Sequence, residues 1–186
     1  MGRTRRIILE DDHAEVVIPQ QVHWFAVYTR PRHEKKVAAM LERKGFEYFL
    51  PLYTVRRRWS DRWKTISFPL FPNYLFVRFD LMDHRRYISL LRTPGLVHLV
   101  RFRGRVEPVP DEEVEAVRRL CTSGVEYAPF PYLENGRWVE VVRGPLRGMR
   151  GYILRREGHY KLVISVHILM RSVATHVSVF DVEPLW

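Results

Sequence analysis

Residues 69–80 read Pro-Leu-Phe-Pro-Asn-Tyr-Leu-Phe-Val-Arg-Phe-Asp, apolar at nearly every position. Alternate side chains of a strand point to opposite faces, so such a run has two apolar faces and belongs inside a sheet covered on both sides. Part of it must therefore enter a core. One face can meet helices of its own domain. The other then presents Tyr74 and Phe76, an aromatic surface suited to docking a partner helix.

The flanking pattern supplies the rest of that domain. Trp24–Tyr28 is an aromatic and β-branched run that predicts a buried strand. Pro31 suits the first turn of a following helix, on which Val37, Met40 and Leu41 form the inner stripe and Gly45 the stop. Lys35, Lys36, Arg43 and Lys44 occupy its other faces. Phe46–Tyr53 predicts a second strand interrupted by Pro51, Tyr74–Phe79 a central strand, Asp83–Leu91 a short helix and Leu96–Phe102 another strand. A last helix opens at Pro110 with Asp111, Glu112 and Glu113 and closes with Arg118 and Arg119, the polarity a helix dipole favours. The order β-α-β-β-α-β-α predicts an α+β sandwich with a mostly antiparallel sheet.

Between residues 122 and 135 the pattern fades into Gly, Pro and Asn, the signature of a linker. Beyond it Trp138–Val142, Gly151–Leu154, Lys161–Ile168 and Val173–Val179 are β-rich runs punctuated by glycines, which predicts a small β-barrel. The expected organisation is a disordered tail at 1–21, an α+β domain at 22–121, a linker at 122–135 and a barrel at 136–186. Gly144, Pro145, Gly148, Gly151 and Gly158 argue against helices in the last part.

Charge and residue inventory narrow the function. The net charge is +10, and nearly all of it lies in residues 22–121, where the balance is +9. A field of that sign attracts polyanions, nucleic acid foremost. It is densest at Val55–Lys64, where four arginines, one lysine and two tryptophans face a single acid, the composition of an exposed hairpin tip. Phosphate contact by Arg57 and base stacking by Trp59 or Trp63 would suit that composition. The single cysteine, Cys121, excludes an intramolecular disulfide and a multi-cysteine zinc site, and its place in an apolar stripe marks a small core residue. The eight histidines show no metal-ligand spacing, and no phosphate-binding loop or nucleophile motif occurs. No catalytic residue, metal site or cofactor is expected. The absence of a membrane span or signal pattern predicts a cytoplasmic protein.

Residues 69–80, preceded by WFAVYTRPRHEKKVAAMLERKGFEYFLPLY and followed by TPGLVHLVRFRGRVEPVP, resemble the N-terminal domain of NusG-type transcription elongation factors. The resemblance leans to specialised paralogues of the RfaH kind, which carry Asn where NusG usually has Gly at the position of Asn73. The segment WVEVVRGPLRGMRGYILRREGHYKLVISVHILMR resembles a KOW domain. Together these cover roughly residues 22–186. The resemblance implies a monomeric factor that binds RNA polymerase, bridges its cleft, and suppresses pausing and termination. The implied clamp-helix contacts are Phe71, Pro72, Tyr74, Phe76 and Phe102. The implied contacts to upstream or non-template DNA are Lys36, Arg43, Lys44 and Arg92. Met149, Leu169 and Arg171 match positions through which the KOW domain recruits a small-subunit ribosomal protein or the Rho terminator. An RfaH-type helical C-terminal domain that masks the clamp site is not expected here. A ribosome-associated or RNA-binding KOW protein is the alternative, and it leaves the second apolar face of the 69–80 run without a role. An enzyme would need a deep pocket with perturbed ionisable groups.

Overall fold

The computed structural model describes residues 4–8, 15–19, 21–59, 62–156 and 158–185. The elements run β1 (Thr4–Ile8), β2 (Glu15–Pro19), β3 (Val22–Thr29), α1 (Glu34–Arg43), β4 (Glu47–Phe49), β5 (Leu52–Trp59), β6 (Arg62–Pro69) and β7 (Tyr74–Asp80). There follow α2 (His84–Leu91), β8 (Leu96–Leu99), β9 (Arg101–Phe102), β10 (Arg105–Val106), α3 (Asp111–Thr122), β11 (Tyr127–Phe130), β12 (Arg137–Val141) and β13 (Arg150–Arg156). The chain closes with β14 (His159–Val166), β15 (Arg171–Val177) and β16 (Val182–Pro184).

The apolar run sits where its two faces require. β7 lies inside an antiparallel sheet of order β4-β7-β3-β8, with Phe25 opposite Val77, Ala26 opposite Phe76, and Tyr28 opposite Tyr74. Leu75, Val77 and Phe79 join Phe25 and Val27 in a core closed by Val37 and Leu41 of α1 and Leu90 of α2. On the reverse face Trp24, Ala26 and Phe76 share a second core with Val114, Val117 and Leu120 of α3. The α+β architecture expected from the sequence is the one observed. β5 and β6 form a separate antiparallel ribbon that continues from this domain, Leu52 pairing with Pro69 at its root and Trp59 with Arg62 at its end.

From Tyr127 to Pro184 the chain forms one six-stranded antiparallel sheet, β11-β15-β14-β13-β12-β16. Its strands are β rather than helical for the reasons given by its Gly, Val and Ile content. A Cβ on Gly151 would lie 2.6 Å from the carbonyl oxygen of Val163, so strand β13 admits only glycine there.

Two expectations are corrected. Tyr127–Phe130, expected to be linker, is strand β11 and pairs with β15 from Tyr127↔Thr175 to Phe130↔Ser172. It is an edge strand, where Pro129 removes no interior ladder bond. Residues 4–8 and 15–19, expected to be disordered tail, pair as antiparallel strands β1 and β2; the rest of 1–20 lies outside the described residues.

The second core does not stop at α3. Its buried residues continue through Val139, Leu146, Met149, Leu162, Ile164 and Leu169 of the C-terminal sheet. Polar contacts pin the same seam. Glu113 of α3 accepts from the backbone N–H of His167 at 3.1 Å and lies 2.7 Å from its Nδ1. Arg119 donates to the carbonyl of Arg147 at 2.7 Å, and the Tyr127 hydroxyl donates to that of Leu52 at 2.6 Å. Glu113→Ala removes the partner of the His167 amide and is expected to cost about 1 kcal/mol, read by faster amide exchange at His167.

Candidate docking face

The turn before β7 is built by one unusual backbone conformation. Asn73 adopts φ +70, a left-handed geometry that only Gly, Asn and Asp reach readily. Its carbonyl accepts from Thr29 N–H at 2.8 Å, and its own N–H donates to Glu34 Oε1 at 2.8 Å. Glu34 is buried at the start of α1, so its carboxylate ties the helix to the turn. Glu34→Ala leaves the Asn73 amide without this partner and is expected to destabilise by about 1–3 kcal/mol in urea denaturation. Asn73→Gly keeps the left-handed turn and is expected to cost well under that; Asn73→Val strains it.

With the turn fixed, the reverse face divides into a floor and a rim. Phe76 is 0% and Phe71 1% exposed, which corrects the expectation that Phe76 lies open for docking. Phe76 is stacked 6.1 Å from Phe49 and meets Phe71 edge-on at 6.2 Å, so both rings act as packing beneath the face. The rim remains accessible. Tyr74 is half-buried and meets Tyr28 edge-on at 5.3 Å, and Tyr28 in turn stacks on His98 at 5.3 Å. Pro72 is exposed, as is Phe102 at 50%. Tyr28 and His98 were not among the residues expected here. Each is ordinary in sequence, and only the pairing of β3 with β7 and β8 brings them to Tyr74.

The expected cationic contacts separate in the same way. Lys36 and Arg43 are exposed on α1, seven residues apart and so on one face. Arg92 is exposed where α2 ends. Lys44 is different: its Nζ donates to the Ser89 carbonyl at 2.6 Å and to Thr93 Oγ1 at 2.9 Å, which ties its ammonium to the last turn of α2. Arg57 is exposed and lies 5.8 Å over Phe68; the side chain of Trp59 lies outside the described residues.

On the C-terminal sheet, Met149 is 2% and Leu169 6% exposed, so neither is an open partner contact in this arrangement. Met149 is held in the seam with α3, where a cleft of about 620 Å³ is lined by Ala116, Met149, Tyr152, Ile164 and Trp138. Arg171 is exposed, next to the exposed Met170 in its left-handed turn. Burial pushes the Cys121 thiol up, with hydrogen bonds to Tyr127 and Leu52 partly offsetting it. Burial likewise raises the Tyr127 phenol, with Cys121 beside it adding to the effect. A raised thiol is a poor nucleophile, so Cys121 is expected to react with a thiol reagent several-fold more slowly than free cysteine at neutral pH. Among the described residues no group of three or more His, Cys, Asp or Glu is placed to hold a metal ion, and no helix is long and apolar enough to cross a membrane.

The architecture is thus an α+β domain with an accessible rim over a buried floor, joined to a small all-β sheet. The model of the family "Transcription termination factor nusG" matches residues 22–118. The chain belongs to the NusG family. It is 26% identical to the transcription termination/antitermination protein NusG of Thermus thermophilus over 78% of this chain and 90% of that one. It is 25% identical to the protein of the same name from Lactococcus lactis over 87% and 92%. A solved structure described as domain interaction in Thermotoga maritima NusG shares the fold, with TM-score 0.52, 22% identity, and coverage of 89% of this chain and 98% of that one.

Proposed function

We propose that this protein is a transcription elongation and antitermination factor that binds RNA polymerase through the rim of its β7 face. The observation that supports this best is the pairing of family membership with an apolar rim, Pro72 with the aromatic Tyr74 and Phe102, left accessible beside a fully packed floor. Aromatic anchors of this type supply most of an interface's energy once water is excluded around them. The clamp helices of the polymerase are the partner for that rim, with Phe71 and Phe76 supporting it from beneath. Lys36, Arg43 and Arg92 then face upstream or non-template DNA and contact phosphate. Bridging the cleft in this way holds the clamp shut and lowers pausing and termination, with no chemistry of the protein's own. Arg171 is the accessible contact for a second partner of the C-terminal sheet, a small-subunit ribosomal protein or Rho.

Co-purification tests the core of the proposal. The intact protein is expected to bring down RNA polymerase core enzyme; association with ribosomal particles and not with polymerase would overturn it in favour of a ribosome-associated factor. Lys36→Ala with Arg43→Ala is expected to weaken DNA contact and reduce the salt slope of binding by roughly 1.8.

A further inference from the structure

The β5–β6 ribbon has two chemically different faces, and only one is used by the fold. Strand alternation places Tyr53, Val55 and Arg57 on one side, with Phe68, Ile66 and Lys64 as their cross-strand partners. Near the root this side is apolar. Tyr53 packs against the second core and lies 5.9 Å from Phe68, and Arg57 covers Phe68. Lys35 of α1 adds a bond to the carbonyl of Ser67 at 2.7 Å. The root is therefore fixed, and the opposite side is turned to solvent.

That opposite side carries Thr54, Arg56 and Arg58, paired with Ser67, Thr65 and Trp63. Thr54, Arg56, Arg58, Trp63 and Thr65 are all exposed. Trp63 is 57% exposed even with the Arg56 guanidinium 5.2 Å over its ring. An indole left this open contributes little to folding. A planar ring beside the Arg56 and Arg58 side chains is instead matched to a ligand with a flat π-face and a phosphate backbone. Base faces covered by their neighbours in a duplex cannot stack on such a ring; unpaired bases can.

We propose that this face of the ribbon binds single-stranded nucleic acid, with Trp63 as the stacking platform and Arg56 and Arg58 as phosphate contacts. It is a site separate from Lys36 and Arg43 on α1 and from the Tyr74 rim. Arg57, expected from the sequence to serve here, lies on the other side of the ribbon. The site needs no polymerase, so it stands or falls apart from the docking function.

Fluorescence anisotropy of the full chain with labelled oligothymidylate, oligouridylate and a mixed-sequence duplex tests it. Trp63→Ala is expected to weaken single-strand binding by about 5- to 100-fold, the range for loss of one stacked base, while Trp63→Phe retains most of it. Arg56→Ala with Arg58→Ala is expected to lower the salt slope by roughly 1.4. Quenching of tryptophan fluorescence by the oligonucleotide should fall in Trp63→Ala. Because Trp63 is exposed, an unchanged circular dichroism spectrum confirms that each variant is folded. A preference for the DNA or the RNA strand identifies which source the site takes, and binding of both supports the shared stack-and-phosphate chemistry. Wild-type affinity in Trp63→Ala, or tighter binding of the duplex than of the single strands, would overturn the proposal.

Discussion

Tyr74→Glu is expected to lower affinity for RNA polymerase core enzyme by about 30-fold or more while the protein stays folded. The size follows from a central aromatic anchor, whose loss costs on the order of 2 kcal/mol, with a buried charge facing the partner added to it. Tyr74 is suited to this test because it is half-buried at the rim and meets Tyr28 only edge-on, so substitution leaves the floor of the face intact. Biolayer interferometry with immobilised polymerase reads the loss, and an unchanged melting curve shows that it is not an unfolding effect. Wild-type affinity in Tyr74→Glu would remove this face from the function.

Phe76→Ala should fail in the opposite way. Its side chain is fully buried between Phe49 and Phe71, in a core that continues into the C-terminal sheet. Truncation is expected to destabilise by about 3–5 kcal/mol. For a chain of this size that lowers the melting temperature by roughly 6–20 °C. Because one buried cluster joins the two sheets through α3, urea unfolding of the wild type is expected to be a single transition, and of Phe76→Ala a single transition at lower midpoint. Two transitions in the wild type would show that the seam contributes little to cohesion. Stability unchanged with polymerase binding lost would instead make Phe76 a surface contact.

The two variants separate roles that look alike in sequence. Tyr74 and Phe76 are two residues apart on one face of one strand, and both are aromatic. What distinguishes them is α3 and the neighbouring rings, which cover one and leave the other at the edge. Lys44 and Arg43 differ for the same kind of reason: adjacent exposed cations at the end of α1, of which Lys44 has its ammonium held by the end of α2.

Local chemistry determined much of this protein from the sequence alone. The doubly apolar run placed β7 inside a sheet, the 3.6-residue stripes placed α1 and α3, and the glycine and β-branched content made the C-terminal domain all-β. Family resemblance was legible in the same strand motif, and the matched family covers it. Tertiary structure decided what depends on residues distant in the chain. Pro129 pairs through β11 because β15 offers an edge; His98 joins Tyr28 and Tyr74 through strand register; Met149 and Leu169 are buried because the C-terminal sheet packs on α3. Side-chain periodicity reports which face a residue takes, and burial depends on what is brought against that face. The run at 69–80 is therefore readable as a strand from its residues, while its division into floor and rim belongs to the fold.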